Sequence, residues 1–391
     1  MRKATVMHHE QIDRTFVDYF EERGHRLVPG SSLIPPPGDP VLFTTSGMHP
    51  LTPYLLGRPH PMGRRLVNVQ RCLRTTDLDE VGDRTHLTLF RMLGSWSLGD
   101  YDVSQSLRWG YEFLRDGLGI GHDRMHVTVF GGDDQVGLDE TSLRTWEGLG
   151  VPVELTVQEN WWDNGLTGPC GPDSEIFIWT GDGPPRGTPG TDERWMEVWN
   201  HVQMRYHRHE DGSLTSLRHP SVDTGMGLER LEMVLGGHRS VYQGSGLMPW
   251  VESVQRLWEL SERDQRVVCD HLRTGVGVVE DGVRPSNTGR GYVLRRLIRR
   301  VLTILWRRDP THTLSDLPSE IVPVGDVRTV FTDEERRFRE LLRRGRHVVT
   351  TRRSRGPFTE EDYRDLHETH GLPRDLIDEI LGEVIPGHVH A

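Results

Sequence analysis

Residues 221–231 read SVDTGMGLERL, and the rest of the chain is organised around them. An acid closes a short β-like run, Gly225 and Gly227 flank Met226, and a helix-forming segment, LERLEMVL, opens at Leu228. Glycines at a strand-to-helix joint permit a tight turn and a close approach of backbone to ligand. The first turn of the helix offers N–H groups that have no partner inside the helix, a natural seat for an anion. Arg230 stands one turn in, where a planar guanidinium can meet a phosphate or lie against an aromatic base. Taken alone the segment reads as an ordinary glycine-bearing turn. Its specificity comes from its companions upstream.

The chain that carries it has 391 residues, length enough for two or three domains with cores of their own. Hydrophobic residues make up 35% and charged residues 27%, a polar globular composition with no apolar run of membrane-spanning length. The N-terminus has no apolar signal core, so the expected compartment is the cytoplasm. Cys72, Cys170 and Cys269 are scattered without CxxC spacing, which argues against a disulfide framework and against structural zinc. The His8-His9 pair and the terminal GHVHA read as solvated, not metal-binding. A net charge of −11 argues against a surface coated for nucleic acid. Lys3 is the single lysine, so any chemistry that needs a lysine must be done otherwise.

Going outward, residues 8–25 place Ile12, Phe16, Tyr19 and Phe20 at helical spacing. Residues 26–48 read as a strand, a proline-rich turn and a second strand running into Gly47. Residues 64–71 and 86–93 read as the two strands of a long hairpin, joined by the polar loop 74–83. The helices 104–119 and 141–150 and the strands 124–132 and 152–159 follow. Residues 160–191 are dense in Gly, Pro and Asp and read as loop. Residues 194–209 alternate as a long strand with Met196, Val198, Asn200, Val202 and Met204 on one face. Beyond about Leu247 the pattern is nearly all helical. Residues 293–308 set Leu294, Leu297, Ile298, Val301 and Leu305 on one stripe and Arg295, Arg296, Arg299 and Arg300 elsewhere, and a proline-punctuated linker occupies 309–332. Many antiparallel strands with few helices make an α+β domain over 1–246, followed by an α-helical domain over 247–391.

Taken in order, QRCLR (70–74), LFRMLGSWSLGDY (89–101), GPCGPDSEI (168–176), EVWNHVQMRY (197–206), SVDTGMGLER (221–230) and DGVRPSNTGRGYVLRRLIRR (281–300) resemble the alanyl-tRNA synthetase family of class II aminoacyl-tRNA synthetases. The resemblance runs from about residue 10 to about residue 385. It implies the class II antiparallel-sheet catalytic domain, with a helical domain resembling the tRNA acceptor-recognition domain behind it, and it implies ATP and Mg2+ as cofactors. By the same correspondence Arg74 contacts the α-phosphate of ATP, Phe90 stacks on adenine and Arg230 covers its other face, with Gly227 beside the nucleotide. Asp223 corresponds to the acidic partner of the alanine ammonium group. Trp162 and Val202 correspond to pocket walls and Asn200 to the residue near the substrate carboxylate; Met92 keeps the pocket small and Gly225 leaves room beside the side chain. Plain core packing is the competing reading of Trp162 and Val202. Glu175 and Glu197 are the candidate metal ligands, since magnesium takes oxygen donors. Asn287 corresponds to a residue that reads the acceptor stem, and Arg295, Arg296 and Arg299 are the phosphate-binding candidates beside it.

The departures from the family carry expectations of their own. The hairpin loop RTTDLDEVG is short and has no lysine, Asp173 replaces a cysteine, and Arg91 stands where the family has a glutamate, so the ATP contact at Arg91 is expected to be rebuilt. The chain ends before an editing domain, and no zinc is expected. On these grounds the leading expectation is an alanine-activating enzyme that passes its alanyl group to a small-molecule hydroxyl or amine, or to a carrier protein. The alternative is a minimal alanine–tRNA ligase charging tRNA(Ala) without editing. A non-catalytic paralogue that binds nucleotide or RNA ranks last. No membrane is expected as partner, and the protein is expected as monomer or homodimer.

Overall fold

A computed structural model describes residues 7–163, 165, 167–370, 372 and 374–381; the terminal GHVHA lies outside them. The chain divides into two compact units, one of Met1–Thr75 with Leu89–Leu247, the other of Thr76–Thr88 with Met248–Ala391.

The first unit is a nine-stranded sheet with helices. Its strands are β1 (Arg26–Leu27), β2 (Arg65–Leu73), β3 (Leu89–Ser97), β4 (Met125–Phe130), β5 (Val153–Thr156), β6 (Trp161–Asp163), β7 (Gly168–Trp179), β8 (Trp195–Arg208) and β9 (Leu214–Gly227). They lie in the order β1-β2-β3-β9-β8-β7-β4-β5, with β6 paired to β7. All pairs are antiparallel except β1 with β2 and β4 with β5. The helices are α1 (His9–Glu21), α2 (Thr52–Leu55), α3 (Val103–Glu112), α4 (Glu140–Leu149) and α5 (Leu228–Gly236). Because strand side chains alternate between faces, the sheet has two distinct sides. Trp199 of β8 packs edge-on to Phe16 and Phe20 of α1 at 5.8 and 6.3 Å, and His201 accepts or donates a 2.9 Å bond with Ser106 Oγ of α3. The residues between them, Asn200 and Val202, therefore face the opposite side.

Two readings of the sequence need correction here. Residues 160–191 are nearly half strand, since β6 takes Trp161–Asp163 and β7 runs through GPCGPDSEIFIW. A register shift between Cys170 and Asp173 accommodates the prolines, and Gly171 is pressed so close to β8 that a Cβ there would lie 1.9 Å from the Gln203 carbonyl oxygen. The glycine is what lets a bulged strand approach its neighbour. Residues 41–46 form no strand; the segment is tied to β2 through the bond from Leu73 N–H to the Thr44 carbonyl, 2.8 Å.

The second unit holds α6 (Met248–Trp258), α7 (Glu262–Glu280), α8 (Gly289–Arg308), α9 (Asp326–Arg353), α10 (Glu360–His370) and α11 (Arg374–Leu381). The apolar stripe of α8 is buried as its spacing predicts, and α9 starts inside the expected linker, as soon as Pro323 is passed. The tip of the β2–β3 hairpin belongs to this unit. Thr88 N–H donates to Asp270 Oδ1 of α7 at 2.7 Å, and Arg300 of α8 donates to the Leu78 carbonyl at 3.1 Å.

Candidate active site

The face of β3, β9, β8 and β7 turned away from α1 and α3, against which Leu55 of α2 packs, gathers most of the predicted residues. Residues opposite one another in adjacent strands share a face. One row runs Trp96–Asp223–Val202–Asp173, the next Gly94–Gly225–Asn200–Glu175, and Met92 faces Gly227 beyond them. Asp223 is 7% exposed and takes a 2.5 Å bond from Trp96 Nε1. Burial pushes its carboxyl up to about 7, against the pull of that indole N–H. Among the described residues no cationic side chain contributes to the shift. A buried carboxylate that lacks a cation is prepared to receive one.

Above Asp223 the space is narrow. Met92 Sδ accepts from Gly47 N–H at 3.2 Å, and a Cβ on Gly225 would lie 2.8 Å from the same sulfur. Neither Gly225 nor Gly227 takes a positive φ, so Gly225 supplies space, not the tight turn its sequence position suggested. Trp162 packs against a cluster that includes Trp96, Val202 and Met204. The competing reading of Trp162 and Val202, core packing, is thus what the two side chains show.

At the other end of the face, Arg230 Nη1 donates to Glu197 Oε2 at 2.7 Å, and the Arg74 guanidinium lies 5.1 Å from the Phe90 ring centre. Arg74 Nε also donates to the Thr45 carbonyl, 3.2 Å. Burial first, and then the charge of Glu197, push the Glu175 carboxyl far above its usual range. A carboxyl raised by a neighbouring carboxylate marks a donor set suited to a hard dication, and the pair fits Mg2+ on chemistry. Among the described residues no group of three or more His, Cys, Asp or Glu side chains is arranged to hold a metal. Any ion here must therefore take further oxygens from its ligand.

Arg91 departs from expectation. It alternates away from Phe90 and Met92, and its guanidinium meets Asp13 of α1 at 3.3 Å and Glu229 of α5 at 3.9 Å. Its backbone N–H also donates to Glu229 Oε2. The residue ties α1 and α5 to β3 on the α1 side of the sheet, and no ATP contact has to be rebuilt around it.

In the helical unit, Arg295 and Arg299 both reach Glu334 Oε1 of α9, at 3.3 and 2.8 Å, and Glu334 is fully buried. Arg295 also donates to the Asn287 side-chain oxygen. Of the three candidate arginines, Arg296 is the exposed one. The α8 arginines are therefore neither a bare phosphate-binding stripe nor simply solvated.

With this geometry in view, similarity to known proteins is extensive. A family model described as tRNA synthetases class II (A) matches residues 11–384. The alanine–tRNA ligase of Treponema pallidum is 40% identical over 414 residues, covering 96% of this chain and 68% of that protein. The chain belongs to the alanine–tRNA ligase family of class II synthetases. The alanine–tRNA ligase of Treponema denticola is 45% identical across 75% of this chain and 52% of its own length. That of Rubrobacter xylanophilus is 39% identical across 95% and 47%. The chain thus spans about half the length of these last two family members. No helix among the described residues is long and apolar enough to cross a membrane.

Two features of this family member escaped the reading of its sequence. Asp173, noted only as a replacement for cysteine, is buried between two amides: Asn160 Nδ2 donates to Oδ1 at 2.8 Å and Asn200 Nδ2 to Oδ2 at 3.3 Å. Burial raises its carboxyl to about 7 despite those bonds. The second is a groove of about 850 Å³ lined by Trp306, Leu342, Arg336, Arg337, Arg343 and Arg344. The run ERRFRELLRR in α9 was the available signal.

Proposed function

We propose that this chain activates L-alanine with ATP and transfers the alanyl group to tRNA(Ala). The observation that carries the reading is Asp223, a buried carboxylate without a cation, on the same sheet face as Arg230 and the Arg74–Phe90 pair. On this reading Asp223 takes the alanine ammonium in a low-dielectric cavity, where an ion pair is strong. Met92, Trp162 and Val202 limit the side chain to about a methyl group, and Gly225 leaves it room. A pocket that excludes by size alone discriminates weakly against an added hydroxyl, so serine is the expected competitor.

Adenine lies between Phe90 and Arg230, and Arg74 faces the α-phosphate. The alanine carboxylate oxygen attacks the α-phosphorus, the bond to the β-phosphate oxygen breaks, and pyrophosphate leaves. Holding the two reactants in line and neutralising charge on the phosphoryl oxygens is most of what the protein has to do. Glu175 and Glu197 would hold Mg2+, which neutralises phosphate charge when bound. A terminal ribose hydroxyl of tRNA then attacks the alanyl carbonyl carbon and AMP leaves.

The relatives' names support tRNA as acceptor, and nothing supports the small-molecule or carrier acceptor first expected from the sequence. The arginines of the α9 groove, with Arg296, supply phosphate-binding groups for it. The cytoplasm is the compartment this reaction calls for. The test is alanine-dependent ATP–pyrophosphate exchange by the purified chain without tRNA, followed by charging of tRNA(Ala). Exchange with alanine and transfer to tRNA(Ala) is the expected result. No exchange with any amino acid would overturn the proposal, and exchange without transfer would overturn its second half.

A further inference from the structure

In the row Asn68–Gly94–Gly225–Asn200 of the active face, two side-chain oxygens have no hydrogen-bond partner among the described residues, those of Asn68 and Asn200. The side-chain oxygen of Asn200 is buried and finds no hydrogen-bond donor among the described residues. Its orientation is not arbitrary, because the amide's other end is fixed. Both oxygens of Asp173 are taken up as acceptors, Oδ1 by Asn160 Nδ2 at 2.8 Å and Oδ2 by Asn200 Nδ2 at 3.3 Å. Asn160 is held in turn, its Oδ1 accepting from the Thr156 hydroxyl at 2.6 Å and its backbone carbonyl accepting from Asp173 N–H at 2.9 Å. Asn160 and Asp173 are 0% and 1% exposed, so this chain of bonds has little freedom to rearrange. Asn200 is opposite Gly225, and beyond it Gly94, so no side chain from β9 or β3 fills its row. Asp223 is its diagonal neighbour on the same face. An oxygen that can only accept suits an ammonium there, not the substrate carboxylate to which the family correspondence assigned Asn200.

We propose that Asp173 is a positioning residue: by accepting the Asn200 N–H, it turns the Asn200 carbonyl toward the substrate as a second acceptor for the alanine ammonium beside Asp223. The inference rests on the alanine-activating reading. An ammonium carries three donors, so two acceptors on one face suit it, and an N–H2 in place of the carbonyl would repel it. Asp173 itself touches no substrate.

Asp173→Asn tests this. The new amide keeps the size and still accepts from Asn160, but it presents N–H2 to Asn200, which must reverse to pair with it. The ammonium then meets N–H2. In pyrophosphate exchange at pH 8 the KM for alanine should rise about tenfold or more, as losing a bond to a charged group does, while the KM for ATP and the Tm stay near those of the parent. The reciprocal double exchange, Asp173→Asn with Asn200→Asp, restores an acceptor facing the substrate and should recover the alanine KM. An unaltered alanine KM in Asp173→Asn overturns the proposal. So does an equal rise in both KM values with a lowered Tm that the double exchange does not repair. If the single variant fails to fold, the double exchange decides alone, a parent-like alanine KM supporting the proposal and a raised one overturning it. A parent chain that exchanges no alanine would instead fail the reaction reading itself.

Discussion

Replacing Asp223 by asparagine should make the protein more stable at pH 8 while abolishing alanine activation. The carboxyl has an ordinary value of 3.8 and is raised by burial to about 7. Between these values the folded chain holds a proton that the unfolded chain has lost, so stability falls as pH rises through the window. The slope is about 1.36 kcal/mol per pH unit. From pH 5 to pH 7, where the fall levels off, the loss is therefore on the order of 3 kcal/mol. Asparagine carries no such dependence and keeps an Oδ1 for the Trp96 indole N–H. The difference in unfolding free energy between variant and parent should accordingly move by about 3 kcal/mol in favour of the variant between pH 5 and pH 8.

Urea unfolding of both proteins at pH 5, 6, 7 and 8 measures this difference, and titrations common to the two cancel. Curves that run parallel across the range would refute the reasoning, because Asp223 would then be ionised throughout. The same charge predicts that kcat/KM for alanine falls about tenfold per unit below pH 7; an acid limb near pH 4 would point to the same error. Alanine added at pH 8 should stabilise the parent and leave the variant unmoved.

Other residues give independent tests. Arg91→Ala leaves Glu229, 3% exposed, without its guanidinium, and should cost about 3 kcal/mol in urea unfolding; since Arg91 faces the helices, the KM for ATP should not change, and a large rise would put it back at the nucleotide. Gly171→Ala forces a Cβ to 1.9 Å from the Gln203 carbonyl oxygen, so thermal unfolding should show a large loss of Tm or no folded protein; parent-like melting would mean the β7–β8 bulge is misdrawn. Arg337→Ala in the α9 groove should weaken tRNA binding equally for all tRNAs and lower the slope of log affinity against log salt by about 1, with pyrophosphate exchange unaffected.

Much of the fold was legible because its signals are local. The β2–β3 hairpin, the stripe of α8 and the alternation of β8 from Trp199 to Met204 follow from periodicity alone. A bulge at Val198 then puts Glu197, and not the expected Met196, on the face of Asn200. Gly168–Asp173 misled because strand propensity counts glycine and proline against a strand, while the backbone of β8 rewards the missing Cβ of Gly171 with close pairing. Arg91 was readable in principle, since it alternates with Phe90 and Met92 and so must face the other way. The identity of the helices waiting there, with Asp13 and Glu229, is a tertiary fact. The arginine face of α8 was visible too, but that Glu334 covers it depends on where α9 lies, some 35 residues further along the chain. Local pattern gives which residues share a face; what meets that face is decided by packing.

The charges on the active face have a common logic. Asp223, Asp173 and Glu175 are all pushed toward their protonated forms, each chiefly by burial. A sheet selected only for stability would carry apolar side chains there, because a desolvated carboxylate opposes folding. The acids are partitioned by partner instead. Asp173 has two amide donors and is satisfied within the fold. Asp223 has one indole N–H, and no cationic side chain among the described residues contributes to its shift. Glu175 has a like charge in Glu197, which already shares the guanidinium of Arg230. The two acids least satisfied by the protein are thus the two whose proposed ligands are positive, an ammonium and a dication. On the proposed reading, burial that weakens the empty protein would be recovered when alanine and the metal nucleotide bind together, coupling ligand binding to the integrity of the sheet.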